Sequence, residues 1–220
     1  MKALSLFRFT QKGAMFGLDG RIALVIFASI STIAGASIFF NRLDAQATVL
    51  HGELKALHEA IKTMQSDFEN DLYASLDNTG ATRHQNALNA LFDETQINAT
   101  HQNNWHGPYI DEFIQPGTRI YKALNNVEGV TTVTIQKHPK MDAISNADAC
   151  SNADPCYYWV RIRKMPLKVI QKLNDRIDGS GETTPEDEGR VQWNDDGSAE
   201  VVNLWYITEQ ALNNTNGSVG

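Results

Sequence analysis

Residues 13–40 read GAMFGLDGRIALVIFASISTIAGASIFF, and the reading of this stretch decides the reading of the rest. No residue from Ile22 to Phe40 is charged. As a helix, these about 19 residues measure roughly 28 Å. A bilayer's hydrocarbon layer is roughly 30 Å thick, so the stretch predicts a membrane span. The leader before it, MKALSLFRFTQKG, carries Lys2, Arg8 and Lys12 and no acid, which predicts a cytoplasmic N-terminus. On the other flank Arg42 and Asp44 nearly cancel, which puts the remainder outside the cytoplasmic membrane. A cleaved secretory signal would have a shorter apolar core, roughly 7–15 residues, and a cleavage box of the A-x-A kind. Here GASIFFNRLDAQA runs on into more helix.

That continuation is amphipathic. Leu43, Ala47, Leu50, Leu54, Leu57, Ile61, Met64 and Phe68 recur at spacings of three and four, and Glu53, Lys55, Glu59, Lys62 and Asp67 take the other face. Span and stripe together predict one helix of about 55 residues, longer than a globular domain of this size normally holds. A coiled-coil stalk is the rival, but the stripe lasts too few heptads. Asp77-Asn-Thr-Gly80 predicts the stop. A shorter helical run follows from about His84 to Phe92, then NNWHGPYIDEFIQPG. Two stretches alternate as strands: VTTVTIQK from Val130, and YYWVRIRK from Tyr157 with Tyr158, Val160 and Ile162 on one face and Trp159 on the other. Pro166 opens a helix that ends at Gly179. Arg190–Trp193 and Glu200–Thr208 bracket NDDGS as an Asp-Gly hairpin.

The small residues Gly13 and Ala14 stand on the basic side of the apolar run, and Asp19 stands at its mouth. This arrangement resembles the class III leader of type IV pilins and type II secretion pseudopilins. Trp105, Gly107, Pro108, Tyr109 and Ile110 look like the W-x-GPY-aliphatic element that follows the long helix in major pseudopilins. The resemblance implies an α+β, pilin-like lollipop: a long N-terminal transmembrane and amphipathic helix packed on an antiparallel β-sheet. It implies a cleaved leader at 1–14, a transmembrane half-helix at 15–40, an amphipathic half-helix at 41–76 and a globular α+β head at 77–220. Cleavage between Gly13 and Ala14 would make Leu18 the fifth mature residue; cleavage between Ala14 and Met15 would place Asp19 where the family carries Glu, and is preferred. In an assembled filament Asp19 would pair with a neighbour's N-terminal amine, which stays charged under the family's typical methylation, with Arg21 as a competing partner in the same chain. The partners implied are a prepilin peptidase, other pilin or pseudopilin subunits and an inner-membrane assembly platform. The location implied is the inner membrane, with a periplasmic or extracellular head.

The 220 residues carry a formal net charge of −7, and loss of the leader's three cations makes it −10. That balance argues against a nucleic-acid surface over the whole domain, and the run Arg161, Arg163, Lys164, Lys168 reads as a solvated strand face and helix start. Cys150 and Cys156, the only cysteines, suit a small disulfide loop in an oxidising space; a metal pair is the alternative and would need distant ligands. The acidic stretch IDGSGETTPEDEG, 177–189, offers Asp175 (just before it), Asp178 and Asp187 as oxygen ligands for Ca²⁺, against a plain solvated loop. No phosphate loop, H-E-x-x-H or nucleophile elbow is present, so no enzyme is expected. Two functions are therefore expected in competition: a pilin-like structural subunit of a pilus or secretion pseudopilus, or a signal-anchored membrane protein whose outer domain binds a ligand and never polymerises.

Overall fold

The leucine stripe organises the observed fold. In the computed structural model, which describes residues 18–77, 83–110, 132–139, 150, 155–198 and 200–212, helix α1 runs from Leu18 to Phe68. The chain divides into two compact units, Met1–Arg42 and Leu43–Gly220. In the second unit all eight stripe residues, from Leu43 to Phe68, are at most 9% exposed. They join one hydrophobic cluster with Val133, Ile135, Tyr158, Val160, Ile162, Val202, Leu204 and Tyr206 of the sheet.

Helix α1 stops at Phe68, short of the expected Leu76, because Glu69 takes a positive φ of 49° and Asp71 begins a new helix. The Asp71 carboxylate accepts hydrogen bonds from the N–H groups of Tyr73 and Ala74, an N-cap for the single-turn helix α2, Leu72–Ser75. Helix α3 covers Arg83–Asn89. Four strands follow: β1, Thr132–Pro139; β2, Cys156–Pro166; β3, Val191–Ser198; and β4, Val201–Gln210. Helix α4, Leu167–Ile177, lies between β2 and β3. All pairings are antiparallel, in the order β1-β2-β4-β3. The expected Asp-Gly turn is absorbed into β3. The register shifts between Asp195 and Ser198, and Ser198 then pairs with Val201, so the reversal comes after the Asp-Gly step.

The sequence reading of 15–40 as a transmembrane half-helix is corrected here. Among the described residues, no helix is long and apolar enough to cross a membrane. Between Leu24 and Thr32 the apolar run is interrupted by Ser29, Ser31 and Thr32. From Leu43 onward α1 is one-sided, and Lys55, Glu59 and Lys62 are exposed on its open face. The pilin-like lollipop is therefore withdrawn, along with the inner-membrane, single-pass location and the periplasmic head. What stands is an α+β fold with a small antiparallel sheet.

Both edges of that sheet are occupied. On β3, the Asp178 carboxylate accepts from the N–H groups of Arg190 (3.0 Å) and Val191 (2.8 Å), and the Glu186 carbonyl accepts from Trp193 N–H (3.1 Å). On β1, the Ile135 carbonyl accepts from the Tyr73 hydroxyl at 2.7 Å. Covering edges in this way removes a template for strand addition.

Leu57 is fully buried in the stripe. Leu57→Ala is expected to cost about 2–5 kcal/mol, read from the urea midpoint at unchanged slope. Asp178→Ala, which strips two charge-assisted bonds from β3, is expected to cost roughly 1.5–3 kcal/mol. A loss under half of that would show that the loop holds its place without the carboxylate.

Candidate functional site

The N-terminal unit exposes large apolar side chains on an ordered helix. Leu24, Val25, Ile26, Phe27 and Ile30 are 53–71% exposed. At about 100° per residue they point to every side of the helix, so no single face is spared for water. The hydroxyls among them turn back on the backbone: Ser29 Oγ donates to the Val25 carbonyl, and Thr32 Oγ1 lies 2.8 Å from the Ala28 carbonyl. Those two hydroxyls thus satisfy their donors within the segment, which can be buried without stranding them.

A second group of polar side chains gathers where α1 ends. The Tyr109 hydroxyl donates to Asp67 Oδ2 at 2.8 Å and accepts from His106 N–H. Burial, foremost, and then the Asp67 carboxylate push its phenol up to about 12. Trp105 Nε1 donates to the Ala90 carbonyl, and its ring meets Tyr109 edge-on. Gly107 is required because a Cβ there would lie 2.4 Å from the Trp105 ring. The WHGPY stretch therefore fastens the region after α3 to the end of α1. His106 Nδ1 stands 3.8 Å from Asp67 and is largely exposed, and no nucleophile is described beside it.

Deeper in the second unit, Lys137 Nζ donates to Asp71 Oδ2 at 2.9 Å, and the two side chains are 0% and 1% exposed. The Tyr158 hydroxyl is buried beside Asp71 without a hydrogen bond of normal geometry. Burial, then the Asp71 charge, raises its phenol well above the ordinary range. The sequence reading missed this cluster. Two signals could have found it: Val133, Ile135 and Lys137 share the inward phase of β1, and Asp71 precedes a short apolar run as a cap does.

Of the described residues singled out from sequence, the two cysteines are brought together as a pair, and the carboxylates are not. Gly13, Ala14 and Met15 lie outside the described residues. Asp19 and Arg21 fall on the first turns of α1, and their side chains lie outside the description. Cys150 and Cys156 are joined by a disulfide, with Cα atoms 5.9 Å apart. Of the proposed Ca²⁺ ligands, Asp178 caps β3, Asp175 faces Lys172 at 4.0 Å, and Asp187 sits between Glu186 and Glu188. Burial first, then those two neighbours, raises the Asp187 carboxyl. Among the described residues no group of three or more His, Cys, Asp or Glu could hold a metal ion.

The face of the sheet away from the stripe is polar and aromatic. Trp159 and Trp205 are fully buried there, and Arg161 lies 4.8 Å over the Trp205 ring. Two open clefts of about 380 and 290 Å³ lie at the sheet's end. Lys62, Glu69 and Glu209 line the larger; Tyr157, Arg190 and Ile207 line the smaller. Neither gathers a nucleophile with a base.

Comparison with protein-family models, curated proteins and solved structures finds no match to this chain. Nothing outside the residues themselves therefore supports a pilin. With no described helix able to cross a membrane, the pilin-like filament subunit is withdrawn, and so is the signal-anchored ligand binder. The associated expectations of pilus or secretion-system membership fall with them.

One titration tests the join between α1 and β4. His58 Nε2 stands 3.4 Å from Glu209 Oε2. Burial lowers the His58 pKa from its ordinary 6.5, and Glu209 opposes that shift. The folded chain thus binds this proton less readily than the unfolded chain. The contribution is complete above about 6.5 and is lost as pH falls through the lower folded value. Urea midpoints should therefore drop from about pH 7 to about pH 5, and His58→Gln should flatten that drop. An unchanged slope in the variant would assign the drop to other groups.

Proposed function

We propose that the chain is a non-catalytic association protein, and that the helical segment Leu24–Ile30 is its binding element. The observation that supports this reading is the exposure of five large apolar side chains, each 53–71% open, within seven residues of ordered helix. Such a segment marks a surface destined for burial. Because the side chains point in all directions, one shallow groove cannot cover them. The partner must enclose the helix, as several apolar protein helices do, and copies of this chain qualify.

Burying what remains exposed yields about 1–2 kcal/mol per side chain, or roughly 5–10 kcal/mol in all. Association itself costs an estimated 4–15 kcal/mol. The two are comparable, so the whole segment is needed and one charge within it suffices to break the association. The internal bonding of Ser29 and Thr32 removes the polar penalty that would otherwise oppose enclosure.

Sedimentation of the full chain tests the reading. The wild type is expected to run well above its monomer mass of 24.5 kDa at micromolar concentration. Phe27→Lys and Ile30→Lys should each return it to the monomer with the urea midpoint of the second unit unchanged. A wild type that stays monomeric as its concentration rises overturns the proposal.

A further inference from the structure

The buried pair of Asp71 and Lys137 has a geometry that a simple ion pair does not require. We propose that Lys137 Nζ and Asp71 Cγ are joined by an intramolecular amide bond, formed by condensation after the second unit folds. The inference is independent of the association reading.

Two features support it. Lys137 Nζ and Asp71 Oδ2 are 2.9 Å apart, with side-chain exposures of 0% and 1%, so amine and acyl group are held together away from water. The other oxygen, Asp71 Oδ1, accepts from Tyr73 N–H at 2.9 Å and Ala74 N–H at 3.3 Å. Two backbone donors on one carboxyl oxygen form the arrangement that stabilises an oxyanion during acyl transfer.

The chemistry balances within the cluster. A proton passes from Nζ to Oδ2 and leaves an amine beside a carboxylic acid. The nitrogen lone pair attacks Cγ, the new C–N bond forms, and Oδ1 takes up the negative charge under its two N–H donors. A second proton moves from nitrogen to Oδ2. The Cγ–Oδ2 bond breaks, water leaves, and the carbonyl re-forms at Oδ1. No oxidant, reductant or activated donor is needed. In the product Oδ1 is still an acceptor, so the cap on α2 survives while the amide ties α2 to β1.

Intact-mass measurement decides the matter. The full chain is purified folded, then reduced and alkylated at both cysteines so that the disulfide does not contribute. The expected mass is one water below that of the doubly alkylated sequence, and digestion should release a branched peptide linking the segments around residues 71 and 137. Lys137→Met should restore the full mass, as should Asp71→Ala. A folded wild type that keeps its full mass after prolonged incubation overturns the proposal. A deficit that persists in Lys137→Met would also overturn it, since it would belong to a dehydration elsewhere, such as succinimide closure at an Asp-Gly step.

Discussion

Helix α1 gives the second unit a straight apolar column, and the strands meet it through every other residue. An antiparallel strand presents one face every second residue, so Tyr158, Val160 and Ile162 face the column together, as do Val202, Leu204 and Tyr206. Shifting either strand by one residue would bring Trp159, Arg161 or Asn203 against the leucines instead. Register is thus enforced by a hydrophobic cost, and the turns have only to comply. This is why Ser198 can pair with Val201 while the Asp-Gly step before it is left inside β3.

The same periodicity forces a charged residue inward. Lys137 continues the phase of Val133 and Ile135, and its Nζ donates to Asp71. A lone buried ammonium costs several kcal/mol. The break in α1 at Glu69 is therefore more than a helix end. It brings Asp71 round to serve as helix cap and counter-ion at once, which ties the path of the chain after α1 to the position of β1.

Much of this was legible in the sequence, and the failures have physical causes. The stripe from Leu43 to Phe68 declared its buried face through spacing alone, and the alternation around Tyr157–Lys164 sorted Tyr158, Val160 and Ile162 from Trp159. The pairing of Asp71 with Lys137 left no such trace: phase marks the one and capping the other, but nothing local joins two residues 66 apart. The acidic loop's carboxylates left a cation site and a plain loop open in the sequence; in the fold Asp178 spends both oxygens on strand amides and Asn174 bonds Glu182. The run before Phe40 misled: hydropathy measures a preference for leaving water and does not name what replaces it.

The loop from Asp178 to Gly189 also bears on how the protein could fail. Gly189 has φ +77°, and a Cβ there would strike Glu182 and Asp178 at 2.5–2.7 Å, so the loop closes only with glycine at that point. A protease that nicked the loop would remove no core side chain and would leave much of the hydrophobic cluster intact. It would nonetheless release the carbonyl of Glu186 and the carboxylate of Asp178 from β3. The freed strand, carrying Val191 and Trp193, would then be able to pair with the same strand of another nicked molecule. Damage to a polar surface loop would thus show as pairing of two nicked molecules through β3, a hazard set by backbone amides and invisible to any tally of buried area.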